Sequence, residues 1–179
     1  MISNIKIIIK NIVSSCYRLT INNENRIEKY RKKGMKIGDD CRIYTDNIGS
    51  EPYLIEIGDN VTISNDVQFI THDGGIHVLR KDKLKNADLV GKIIVGNNTF
   101  VGAKSIIMPG ITIGDNVIVG AGSIVTKSVE NNVVICGVPA KKIKTIEEYY
   151  EDVKDKVIFT KNMPEDQKKI YILKEVENG

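Results

Sequence analysis

Residues 95–124 read VGNNTF VGAKSI IMPGIT IGDNVI VGAGSI when cut into sixes. Each block opens on valine or isoleucine. A helix places apolar residues three and four apart, so this spacing would scatter them around its surface. A hairpin sheet alternates by twos and turns sharply between strands. Period six instead fits a short strand followed by a corner. Three such sides make a triangular coil of about 18 residues, and coils stack about 4.8 Å apart as parallel strands do.

The pattern extends outward from this stretch. The leading position is held by Ile37, Ile43, Ile57, Ile63, Phe69, Val95, Val101, Ile107, Ile113, Val119 and Val125. Glycine often follows it, as at Gly38, Gly58, Gly96, Gly102, Gly114 and Gly120. Small or branched residues recur four places after it, among them Cys41, Val61, Val67, Thr99, Ser105, Ile111, Val117 and Ser123. Glycine, asparagine and aspartate at the corners tolerate backbone conformations that branched residues resist. One coil buries little, so several must stack. Residues 37–48 open the prism, 57–72 continue it after an irregular GSEPYLIE segment, and 95–130 run as unbroken sixes. The expected fold is an all-β solenoid, a left-handed parallel β-helix of about five coils.

Short helices are expected outside the prism. NNENRIEKYRKKG has Asn at its start and Gly34 at its end. TIEEYYEDVKDKV pairs Thr145 with Glu148 in a capping-box spacing. PEDQKKIYILKEV carries Pro164 in its first turn. Such helices would cover strand edges at the prism ends. The expected division is a helical segment over 1–36, the β-helix over 37–140 with a protruding loop at 73–92, and a helical segment over 141–179.

Composition narrows the function classes. The chain has 179 residues and a net charge of +3, too weak to imply nucleic acid. Cys16, Cys41 and Cys136 are odd in number and far apart, with no CxxC. That argues against a disulfide framework or a zinc site and fits a reducing, cytoplasmic setting. The start, MISNIKIIIKNIVSSCYRL, is apolar but broken by Lys6 and Lys10. Its apolar run is too short to span a bilayer. An amphipathic helix packed on the body is the main expectation, with peripheral membrane contact as the alternative.

The repeat breaks at FITHDGGIHVLRKDKLKNADLVGK, residues 69–92, and resumes at Val95. A long insertion in a strict repeat is usually functional. His72 sits at its root and His77 five residues on, the two histidines of the chain.

The sixes, THDGG with a loop holding Arg80, then VGAKSIIMPGITIGDNVIVGAGSIVTKSV and GVPAKKIK, resemble the hexapeptide-repeat acetyltransferases. The likeness runs from about 37 to 146. It is nearest to galactoside, maltose and nodulation-factor O-acetyltransferases, and GSEPYLIEIGDNVTIS resembles enzymes of capsular polysaccharide synthesis. The resemblance implies a homotrimer with active sites between prisms, each closed by a neighbour's loop. It implies acetyl-CoA as co-substrate, no metal, and a saccharide hydroxyl as acceptor. His72 matches the family's general base. Ala103, Ala121, Thr126, Lys127, Lys141 and Lys144 match its coenzyme contacts. Corner geometry would equally explain the two alanines, and a solvated basic run the lysines.

The chemistry has independent sense. A sugar hydroxyl attacks a thioester poorly, and a neutral imidazole with a reference pKa near 6.5 can take its proton as the bond forms. Around His72, Asp46, Asn47, Glu51, Tyr53, Asp73, His77 and Arg80 are candidate acceptor contacts. Glu51 and Tyr53 could instead stabilise a bend. Asp73 could orient the imidazole or make a turn. Arg80 could meet an acidic substrate, close the loop or be solvated. About 36 residues precede the repeat and differ from the helical N-terminal domain of the sugar enzymes, so no acceptor contact is carried over from there. N-acetylation of an amino sugar is the rival transferase reaction. A zinc lyase of the β-helical carbonic anhydrase type would need three histidine ligands. A non-catalytic scaffold is the remaining alternative.

Overall fold

A computed structural model describes residues 22–178. The expectation for the first 21 residues, including Lys6, Lys10 and Cys16, lies outside the described part. The described residues divide into two compact units at Ile146/Glu147.

The first unit is the prism. Its strands, with their leading residues inward, are β1 (Lys36–Ile37), β2 (Arg42–Ile43), β3 (Ile55–Ile57), β4 (Thr62–Ile63), β5 (Gln68–Phe69), β6 (Ile93–Val95), β7 (Phe100–Val101), β8 (Ile106–Ile107), β9 (Thr112–Ile113), β10 (Ile118–Val119) and β11 (Ile124–Val125). From β3 to β11 consecutive strands fall in turn on three parallel sheets. One face stacks β1-β3-β6-β9, the second β2-β4-β7-β10-β12, the third β5-β8-β11, where β12 is Val133–Gly137. A bridge from Ile113 to Val129 supplies the first face's fifth level. This is the left-handed β-helix of about five coils that the sixes predict.

The register explains the period. Val101 lies beside Ile63 on one side and Val119 on the other, and Ile107 between Phe69 and Val125. Leading residues from Ile43 to Val125 are all almost fully buried. The interior polar side chains keep partners: Thr99 donates to the Gly114 carbonyl at 3.0 Å, Ser105 to that of Gly120 at 3.1 Å, and Thr45 to that of Val67 at 2.7 Å. Buried hydroxyls without such acceptors would cost stability.

One corner carries Asn60, Asn98, Asn116 and Asn132, all with positive φ. Their side-chain amides link each coil to the next at 2.8 Å. Asparagine pays less than most residues for this left-handed backbone, and the ladder offsets what remains. At Gly102 a Cβ would come within 2.5 Å of the Ala121 nitrogen, so only glycine lets these coils close up.

Both ends of the prism are covered. Helix α1 (Asn23–Lys32) is capped by Asn22, whose side chain accepts from the Asn25 N–H. It lies along the outer edge of β2. Asn23 donates to the Cys41 carbonyl and accepts from the Ile43 N–H, both at 2.8 Å, as a neighbouring strand would. Arg26 donates to the Ile43 carbonyl at 2.9 Å. At the other end β13 (Ala140–Thr145) pairs antiparallel with β12. Residues 141–145, read from sequence as the start of a helical segment, are therefore strand, because the open edge of β12 takes them as its partner. Later in the sequence come α3 (Ile146–Val153), which falls in the second unit from Glu147 onward, and α4 (Glu165–Asn178), which starts directly after Pro164. No helix among the described residues is long and apolar enough to cross a membrane.

Candidate active site at the loop root

The loop leaves the prism after β5 and returns into β6. Its limbs pair as a short antiparallel ladder. His72 bridges Val90, the Asp73 N–H donates to the Leu89 carbonyl at 2.8 Å, and the Gly91 N–H to that of Thr71 at 2.9 Å. The insertion thus closes on itself, and Ile57 still stacks on Val95 as though it were not there. Beyond the root, Asp73 accepts from the Gly75 N–H at 2.8 Å and starts a tight turn, which leads into α2 (His77–Arg80). Arg80 donates to the Ala87 carbonyl at 2.7 Å and pairs with Asp88, tying the outgoing limb to the returning one.

The irregular segment before β3 crosses this root. Gly49 has φ +68°, and a Cβ there would stand 2.7 Å from Thr71 Oγ1 and 2.9 Å from the Phe69 carbonyl oxygen. This close approach delivers Glu51. Its Oε2 accepts from the buried Thr71 hydroxyl and lies 3.1 Å from His72 Nδ1. The Thr71 hydrogen bond, then that of His72, holds the Glu51 carboxyl below the usual glutamate range. His72 keeps about half of its side chain exposed, while Glu51 keeps a fifth.

Above the pair opens a cavity of about 370 Å³. Glu51, Tyr53, His72, Asp73 and Arg80 line it, with Asp88, Leu89 and Val90 of the returning limb. Five of the candidates read from sequence therefore meet around one space. Three do not. Asp46 faces α1, accepting from the Tyr30 hydroxyl at 2.9 Å with Arg26 at 3.6 Å. Asn47 continues the third face, its carbonyl accepting from the Phe69 N–H at 3.0 Å. His77 is exposed at the start of α2 and does not line the cavity. Sequence reasoning missed Thr71, Leu89 and Val90. Thr71 had a signal in its place directly before His72, where the period breaks.

Ala103 and Ala121 sit on adjacent coils, with the Gly122 N–H donating to the Ala103 carbonyl at 2.8 Å. Thr126 and Lys127 are exposed after β11. Lys127 and Lys142 line a second cavity, of about 280 Å³, where Lys142 pairs with Glu130 at 2.7 Å. Lys141 and Lys144 lie on β13 opposite Cys136 and Val134. Among the described residues no group of three His, Cys, Asp or Glu side chains could hold a metal ion.

The model of the hexapeptide repeat of succinyl-transferase matches residues 92–127. The chain is 53% identical over 149 residues to protein CapG of Staphylococcus aureus, covering 82% of this chain and 86% of that protein. The chain belongs to the hexapeptide-repeat acetyltransferases. Galactoside O-acetyltransferase of Escherichia coli strain K12 is 41% identical over 111 residues, 58% of this chain and 53% of that protein, so the match spans about half of its length. Among solved structures, a galactoside acetyltransferase in complex with coenzyme A superposes with a TM-score of 0.56 at 29% identity, covering 78% of this chain and 76% of the other. A maltose O-acetyltransferase from Clostridium difficile superposes at 0.54 with 28% identity, covering 75% and 83%.

Proposed function

We propose that this acetyltransferase moves an acetyl group from acetyl-CoA to a hydroxyl of a saccharide used in cell-surface or capsular polysaccharide, with His72 as general base. The carrying observation is the exposed imidazole at the loop root, backed by Glu51 and opening on a cavity of about 370 Å³. The likeness to CapG and to the galactoside and maltose enzymes supports the acceptor class.

In this reading the acceptor hydroxyl oxygen attacks the thioester carbon while His72 takes its proton. The tetrahedral oxyanion collapses, the carbon–sulfur bond breaks, and the thiolate recovers the proton from the imidazolium. Such a base contributes about 10²- to 10⁴-fold. Tyr53, Asp73 and Arg80 shape the acceptor end of the cavity. Ala103 and Ala121 let the pantetheine arm approach the prism backbone, with Thr126, Lys127, Lys141 and Lys144 toward the phosphorylated end, where point charges neutralise phosphates. The reading includes a homotrimer in which a neighbour's prism completes the open cavity, and a cytoplasmic location.

The test is an acceptor panel with acetyl-CoA, following thiol release, with mass spectrometry separating an ester from an amide product. His72→Ala should lose turnover by about 10²-fold or more, keeping its thermal midpoint and coenzyme binding. Unchanged turnover in that variant removes His72 as the base.

A further inference from the structure

We infer that Glu51, anchored by Thr71, is the positioning residue that fixes the tautomer and the orientation of the His72 imidazole. This rests on the reading of His72 as the base and adds a residue to it.

An ionised carboxylate only accepts. Glu51 Oε2, 3.1 Å from Nδ1, therefore requires the proton on Nδ1. The Nε2 lone pair is then the ring's one basic position. The Thr71 hydroxyl donates to the same Oε2, so a buried side chain pins the oxygen that faces the ring. The depressed carboxyl of Glu51 agrees with an anion held by two donors.

The other groups facing the cavity are already engaged. Asp73, next to His72 in sequence, is bound to the Gly75 N–H. Asp88 is paired with Arg80. The remaining titratable neighbour is Tyr53, 62% exposed. Glu51 is thus the carboxylate that meets the imidazole, and it arrives from another coil. The segment that carries it reaches Thr71 only because residue 49 is glycine. Sequence reading placed Glu51 among acceptor contacts, and the geometry points to the base instead.

The experiment compares wild type with Glu51→Gln, Thr71→Val and His72→Ala. Nitrogen-15 spectra of the imidazoles, taken without substrate, should show His72 protonated at Nδ1 in the wild type, with the other tautomer gaining population in Glu51→Gln. That variant should lose about 10- to 100-fold in kcat, with smaller changes in KM for acetyl-CoA and acceptor. Thr71→Val keeps both partners and should show a weaker loss in the same direction, which decides the matter if Glu51→Gln does not fold. An unchanged kcat with an inactive His72→Ala overturns the role of Glu51 alone. A loss confined to acceptor KM makes Glu51 a substrate contact and also overturns it. Activity retained in His72→Ala brings down the base itself, whatever Glu51 does.

Discussion

Two stretches of this prism follow the same six-residue grammar and use it differently. From Ile93 to Val125 six strands, β6 to β11, follow one another without a break, and their leading residues are closed off from solvent. From Tyr44 to Lys92 the chain departs from the grammar twice, at the 49–54 bend and at the loop. The departures meet, because each leaves the third face of the prism near β5. The lesson is that a repeat gives rigidity by uniformity and can place chemistry only where it is interrupted. The loop bears this out in its exposed apolar residues: Val78, Leu79, Leu84, Leu89 and Val90 have no interior to fill.

The sharpest separation should come from the core. Ile107→Ala removes a fully buried side chain between Phe69 and Val125. It should cost about 2–5 kcal/mol in denaturant unfolding. Val78→Ser, on the loop where 78% of the residue is exposed, should leave unfolding unchanged. Equal effects from the two would erase the distinction.

Glycine substitutions should divide the same way with a smaller effect. Gly102→Ala presses on the Ala121 backbone in the regular stretch and should lower the unfolding midpoint. Gly49→Ala presses on Thr71 and adds a strained φ. It should act mainly on kcat, toward the roughly 100-fold loss that misplacement by about 1 Å can cause. A Gly49→Ala enzyme with full turnover would mean that the bend does not aim Glu51.

The smallest expected effect is acid sensitivity in the interrupted stretch. Glu51 is held low by Thr71 and His72, and Glu56 by Lys36 and Lys92. Both folded values lie below the unfolded one, near 4.3. Their stabilisation is therefore complete above that value and fades as pH falls through the lower folded values. Urea midpoints measured downward from about pH 6 should fall less steeply for a Glu51→Gln, Glu56→Gln double variant than for wild type. Parallel curves would show that these carboxylates do not set the acid limb.

The period alone determined the triangular coil, the inward residues, the stacking partner of each side and the site of the interruption. Period six admits one short strand per side, and burial demands that like positions stack. His72 stood out for the same reason, at the point where the spacing failed. The capped edges, with Asn23 imitating a strand and residues 140–145 becoming one, were decided by which open edges the fold left to cover. Sequence spacing also could not separate Glu51, which meets the imidazole, from Asp46, which faces α1. Both are carboxylates between β2 and β3, five residues apart. Only the left-handed turn at Gly49 and the buried hydroxyl of Thr71 chose between them, and those act through contacts between residues about 20 positions apart.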